Sequence, residues 1–195
     1  MTKTKPILTL ILGALFAGAI VVYSFAQPFK PNAVREAVPA GATFVFKAEN
    51  LDELLNSPVC GQLEKALGGE VSLKTIAASN GWKNLAASSE IAVASLPFRN
   101  AGHQKTWAAA SWVGWRSPWL RWKLEAAVGG KLEFVGKHAV WPIWEYNDPA
   151  LARDQHLMFA LTDNLLIACL SENPTDILLL LDTYDKRVPF HAQGK

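Results

Sequence analysis

The chain has 195 residues, 50% of them hydrophobic, and a formal net charge of +2. This apolar content with little net charge argues against disorder, and the length suits one membrane segment with one medium-sized domain. Lys3 and Lys5 account for the whole positive excess, so the remainder lacks the basic surplus of a nucleic-acid-binding protein.

Residues 1–26 are predicted to be a signal anchor or transmembrane segment. Lys3 and Lys5 precede residues 7–26, which carry no charge and as a helix span about 30 Å, the thickness of a bilayer core. The lysines favour a cytoplasmic N-terminus. The alternative is a cleaved signal peptide, with Ser24 and Ala26 forming a small-x-small cleavage site, but the run exceeds the usual about 7–15 apolar residues. Both interpretations export residues 27–195.

Beyond the anchor, the pattern predicts a linker over 27–42, an exported domain over 43–187 and a tail over 188–195. Alternating and continuous apolar runs predict strands, and i,i+3/i+4 spacing with capping residues predicts helices. In chain order these are a strand at 42–50, helices at 51–67 and 72–82, strands at 89–98 and 105–115, a helix at 119–128, strands at 131–136, 138–146, 157–162 and 165–171, and a helix at 174–187. Short turns between neighbouring strands predict an α+β fold, a mainly antiparallel sheet with helices on one face.

Two stretches carry a family resemblance. VPAGATFVFKAENLDELL, residues 38–55, and HLMFALTDNLLIACLSENPTDILLLLD, residues 156–182, resemble segments of uncharacterised membrane-anchored bacterial cell-envelope proteins. The resemblance implies a single-pass protein of the bacterial inner membrane with a non-enzymatic domain facing the periplasm, or a periplasmic protein after cleavage near Ala26. It supplies no catalytic residues.

The sequence contains no recognisable catalytic or cofactor motif. It lacks a nucleophile elbow, a P-loop, a dinucleotide fingerprint and a zinc-protease motif. The histidines stand singly, as solvated loop residues rather than metal ligands: His103, His138, His156 and His191. We therefore expect no enzyme activity, no cofactor and no metal. Cys60 and Cys169 are interpreted as free buried thiols, with a disulfide as the alternative in an exported domain.

Tryptophan is the most informative residue type. Five of the eight tryptophans fall within a short segment, at positions 107, 112, 115, 119 and 122. The first three lie on both faces of a predicted strand and are expected to pack in the core. In the following helix, Leu120, Leu124, Ala127 and Val128 form an aliphatic stripe, and Trp119 and Trp122 point away from it.

The candidate contact surface is therefore on this helix, and its residues are Trp119, Trp122, Arg116, Arg121 and Lys123. Tryptophan beside basic residues suits anionic lipid headgroups or a protein partner. The sequence predicts a membrane-anchored envelope protein with a non-catalytic binding or scaffolding domain and no nucleic-acid partner. The alternative is an exported glycan-binding module or degenerate glycan-processing enzyme, using Trp141 and Trp144 or the helix pair as stacking platforms.

Overall fold

The computed structural model describes residues 33–67, 72–74, 90–97, 106–149, 151, 154–162 and 164–185. All of them belong to the compact unit Asn32–Lys195. The predicted anchor and the predicted tail lie outside the described residues. Within the described ranges, none of the helices has the length and apolar composition that crossing a bilayer requires.

From Phe44 onward the described elements follow the predicted order, whereas the short helix before it was not predicted, and most of the helix predicted at 72–82 lies outside the described residues. In chain order they are α1 (Ala33–Glu36), β1 (Phe44–Ala48), α2 (Leu51–Asn56), α3 (Pro58–Ala66), β2 (Ile91–Leu96), β3 (Thr106–Trp112), a 3-10 turn (Gly114–Arg116), α4 (Ser117–Ala126), β4 (Leu132–His138), β5 (Trp141–Tyr146), β6 (His156–Leu161), β7 (Leu165–Ser171) and α5 (Asp176–Asp185).

The seven strands form one sheet in the order β1-β2-β3-β7-β6-β5-β4, and every neighbouring pair is antiparallel. This confirms the predicted α+β class with an antiparallel sheet. Strands β1 to β3 form one meander and β4 to β7 a second, joined where β3 pairs with β7. The connection that contains α4 carries the chain from the centre of the sheet to its far edge, where β4 lies.

Helices cover both faces of the sheet, whereas the sequence analysis expected them on one face. On the first face, α1 and α5 pack over side chains such as Ala94 of β2 and Ile167 of β7. On the second face, α2 and α3 pack over Val93 and Trp107, and α4 packs over β5 and β6. The physical reason is in β2, whose residues are all buried. A strand that alternates between two covered faces needs apolar or small residues throughout.

The domain begins earlier than the predicted boundary at residue 43. Val34, Ala37 and Val38 are buried in the main core on the first face of the sheet, against residues of β2 and β3. The ten residues 33–42, assigned to the linker from their prolines and small side chains, therefore form the first layer of the domain.

Strand β4 contains a β-bulge between Phe134 and Gly136, where its register with β5 shifts. Pro142 of β5 pairs with Lys137 of β4, and the pairing of β5 with β6 begins one residue later, at Ile143. The proline thus occupies a position on β5 where its missing N–H interrupts no bond to β6.

We expect Ala139→Gly to stabilise the domain by about 0.5–1 kcal/mol. Ala139 lies in the two-residue turn between β4 and β5 and has a φ of 53°, a left-handed conformation that costs an L-residue about 1–2 kcal/mol. Glycine removes that cost. It also lowers the free energy of unfolding by about 0.4–1 kcal/mol, because glycine raises the entropy of the unfolded chain. Urea denaturation measures the difference. Ala126→Gly, in an exposed helical position, is the control and should destabilise; a loss of stability in Ala139→Gly would contradict the prediction.

Candidate functional site

The candidate contact surface lies on α4, and the start of this helix is fixed to the turn between β6 and β7. The Ser117 hydroxyl donates to the Thr162 carbonyl at 3.2 Å, and the Val113 N–H donates to the Asn164 carbonyl at 2.8 Å. Pro118 stands in the first turn of the helix, where its missing N–H costs no bond. Glycine is required at position 114, where the chain comes close to the turn between β6 and β7. Its φ is 50°, and a Cβ there would lie 2.9 Å from the Trp112 Nε1.

The end of α4 is fixed as well. The Ala127 N–H donates to the Lys123 carbonyl, and Gly129, with a φ of 94°, donates its N–H to the Leu132 carbonyl at 3.1 Å. Only glycine adopts such a φ without strain, so Gly129 turns the chain directly into β4. With both ends bonded to the sheet, α4 presents its surface in one fixed orientation.

The inner side of α4 is a narrow aliphatic stripe. Leu120 and Leu124 are buried in a cluster with Trp144 of β5 and Leu161 of β6, as the sequence predicted. Ala127 and Val128 were expected in this stripe, but that prediction is wrong, because the helix ends at Ala126 and both residues are exposed. Past the last helical residue the 100° increment no longer applies, so the period does not place Val128.

The outer side of α4 is also apolar, and it is exposed. At 100° per residue, Pro118, Trp119, Trp122 and Ala126 occupy about 100° of arc, centred opposite the buried stripe. All four are exposed in the structure, with 44% of Trp119 and 63% of Trp122 accessible to solvent. We call these four residues the outer face of α4. The sequence predicted exposure of the two tryptophans but not of Pro118 and Ala126, although each of these is four residues from Trp122, a spacing that places it on the same side of the helix.

Charged side chains flank the outer face on both sides. The Lys123 ammonium lies 5.0 Å from the centroid of the Trp119 ring, a cation–π contact. On the other side, the Arg121 Nε donates to the Glu125 Oε1 at 2.9 Å, so a carboxylate accompanies this arginine. Arg116 lies in the 3-10 turn ahead of the helix and is half-buried. Of the three predicted basic residues, Lys123 and Arg121 therefore border the outer face directly.

The remaining described tryptophans are packed in the core. Trp107 is buried on the second face of the sheet, and Trp112 packs against the cluster on the first face, which confirms that both faces of β3 carry tryptophan. Trp141 is 9% exposed and meets Tyr184 edge to face; Trp144 is 0% exposed and meets Phe134 in the same way. Neither ring can stack on a sugar, so the proposed glycan platform at Trp141 and Trp144 is wrong. The side chain of Trp115 lies outside the described residues.

Two histidines bond to carboxylates instead of lying free in loops as expected. His156 begins β6, and its Nδ1 is 2.6 Å from the Glu145 Oε1 of β5; the His138 Nε2 is 3.0 Å from the Asp182 Oδ1 of α5. Both pairs join neighbouring elements. Among the described residues, no group of three histidine, cysteine or acidic side chains is placed to hold a metal ion. His103 and His191 lie outside the described residues.

Cys60 and Cys169 are free and buried, which confirms the interpretation from the sequence. They lie in different clusters, Cys60 beside Leu55 of α2 and Cys169 in the main core on the first face. Burial in an apolar environment raises the pKa of both thiols, and Asp176 raises that of Cys169 further. A raised pKa keeps a thiol protonated and unreactive, so neither cysteine has the properties of a nucleophile.

The chain matches no known protein-family model, no curated protein and no solved structure. The resemblance to envelope proteins therefore stays a prediction from the sequence.

Proposed function

We propose that this chain is a single-pass membrane-anchored envelope protein whose domain binds another surface and carries out no chemistry. The observation that carries the binding role is the outer face of α4. Two tryptophans stand exposed on a helix that the sheet holds at both ends. Large exposed aromatic residues raise the free energy of a protein in water, and on a rigid element they are typical of contact surfaces.

The anchor is supported by the sequence of residues 7–26, an uncharged run that begins two residues after Lys5. Its length matches a bilayer core, and the preceding lysines favour a cytoplasmic N-terminus and a domain on the opposite side. The family resemblance adds to the proposal that this opposite side is the periplasm.

Fractionation of cells that express the full chain tests the anchor. We expect the chain in the membrane fraction after alkaline carbonate extraction, with an intact N-terminus by sequencing. A reporter enzyme fused after Lys195 should be active outside the cytoplasm. A mature chain that begins at Gln27 in the soluble fraction would show a cleaved signal peptide, and a reporter active only in the cytoplasm would overturn the orientation.

Glycan binding is the second candidate, and exposed indoles are the observation that favours it, since sugar rings stack on aromatic faces. Burial of Trp141 and Trp144 leaves the outer face of α4 as its platform. Affinity chromatography on envelope glycans, with the full chain and with Trp119→Ser/Trp122→Ser, separates the candidates. Retention lost in the double variant supports glycan binding, and equal retention of both proteins excludes this face as the platform.

A further inference from the structure

We infer that the outer face of α4 docks onto an anionic lipid bilayer, the same membrane that holds residues 7–26. The inference rests on the proposed anchor and specifies what the binding domain binds. It is carried by three properties of the face: its residue types, its area and its distance along the chain from the anchor.

The residue types are those of a membrane interface. Indoles prefer the headgroup region, where the ring is in an apolar layer and the N–H meets water, and lysine and arginine beside them meet lipid phosphates. Trp119 and Trp122 project from the helix between Lys123 on one side and the Arg121–Glu125 ion pair on the other, so Lys123 is the basic residue that faces the phosphates without a carboxylate beside it. An amphipathic helix that lies in the plane of a bilayer has this arrangement, with its apolar side inserted about 5–10 Å.

The exposed surface of the two indoles is small for a docking contact. A tryptophan side chain has roughly 250 Å² to bury, so the exposed fractions of Trp119 and Trp122 amount to about 270 Å² together. A standard protein interface buries about 800 Å² on each partner. A contact of this size becomes populated only when its partner is held at high local concentration.

The short connection to the anchor provides that concentration. Between Ala26, at the end of the uncharged run, and Ala33, the first residue of α1, the chain extends at most about 25 Å. A tethered surface meets its target at an effective concentration in the millimolar range.

Quenching of tryptophan fluorescence by brominated lipids tests the inference on the full chain in proteoliposomes. Residues 1–32 contain no tryptophan, so any quenching reports on the domain. We expect strong quenching in vesicles of phosphatidylcholine mixed with phosphatidylglycerol and weak quenching in phosphatidylcholine alone. Lys123→Gln keeps both indoles and should lower the ratio of docked to undocked chains about fivefold in the anionic vesicles, because one basic residue at such a surface is worth about that factor. Lys123→Arg should retain docking.

Two further variants locate the contact. Trp119→Ser/Trp122→Ser should lose the quenching, whereas Phe44→Ser should retain it. Phe44 is a matched control, an aromatic residue 41% exposed on β1 at the opposite edge of the sheet from β4. Quenching that is equal in both lipid mixtures, or that survives in the double variant, would overturn the inference. A third result would also overturn the inference: indoles that are inaccessible to an aqueous quencher in native membranes but unquenched by brominated lipids in vesicles that contain no other protein. That result would assign the face to a protein partner.

The outcome separates this inference from the proposed function. A chain that resists carbonate extraction but shows no quenching keeps its anchor and loses the lipid contact. A chain released by carbonate loses the anchor, and the docking inference fails with it because the tether is gone.

Discussion

Leu124→Ala should lower the free energy of unfolding by roughly 2–5 kcal/mol, whereas Trp122→Ala should lower it by about 1 kcal/mol or less. Leu124 is buried between α4 and the sheet, so truncation leaves a cavity beside Trp144. Trp122 is 63% exposed and has little packing to lose. Chemical denaturation of the two variants, followed by circular dichroism, gives both values.

Trp144→Ala is the matched reference for the tryptophan substitution. The residue type is the same, but Trp144 is fully buried, and its loss should cost about 3–5 kcal/mol. If Trp122→Ala unfolded the domain as readily as Trp144→Ala, the outer face of α4 would be part of the core. The docking inference would then have no surface to act through.

The sequence predicted the strands and their antiparallel pairing, because the turns between them are short and apolar alternation is a local property. It did not predict that helices cover both faces. The signal was present in β2, whose apolar and small residues run without alternation over Ile91–Leu96. A continuous run is typical of a strand buried on both sides, but its cover comes from α1 and α3, which are distant in sequence.

In the candidate site, too, local features were predictable from the sequence and features that depend on distant residues were not. The exposure of Trp119 and Trp122 followed from the helical period, which needs no knowledge of the rest of the chain. The burial of Trp141 and Trp144 did not, because it depends on Tyr184 of α5 and on α4 covering β5. Val128 was misplaced for a local reason: the period put it inside the core, but α4 ends before it and leaves it exposed.

The second large effect concerns the first residues of the domain. Val34→Asp should destabilise the domain by roughly 4 kcal/mol or more, because it buries a carboxylate that has no partner. Val34 is 0% exposed and packs on the first face of the sheet with Val38. Arg35→Asp is the matched control: it introduces the same side chain one residue later, at an exposed position, and should change stability by about 0.5 kcal/mol or less.

Denaturant midpoints of the two aspartate variants measure this difference in the full chain. Equal stability of the two would mean that α1 contributes no core, as the linker predicted over 27–42 requires. A large difference would confirm that the domain begins at α1, which shortens the connection to the anchor to residues 27–32. That length matters for the docking proposal. Each added residue would extend the reach of the connection by about 3.5 Å and lower the effective concentration of the outer face of α4 at the bilayer. A folded α1 is therefore part of the docking proposal, because it leaves only residues 27–32 between the proposed anchor and the domain.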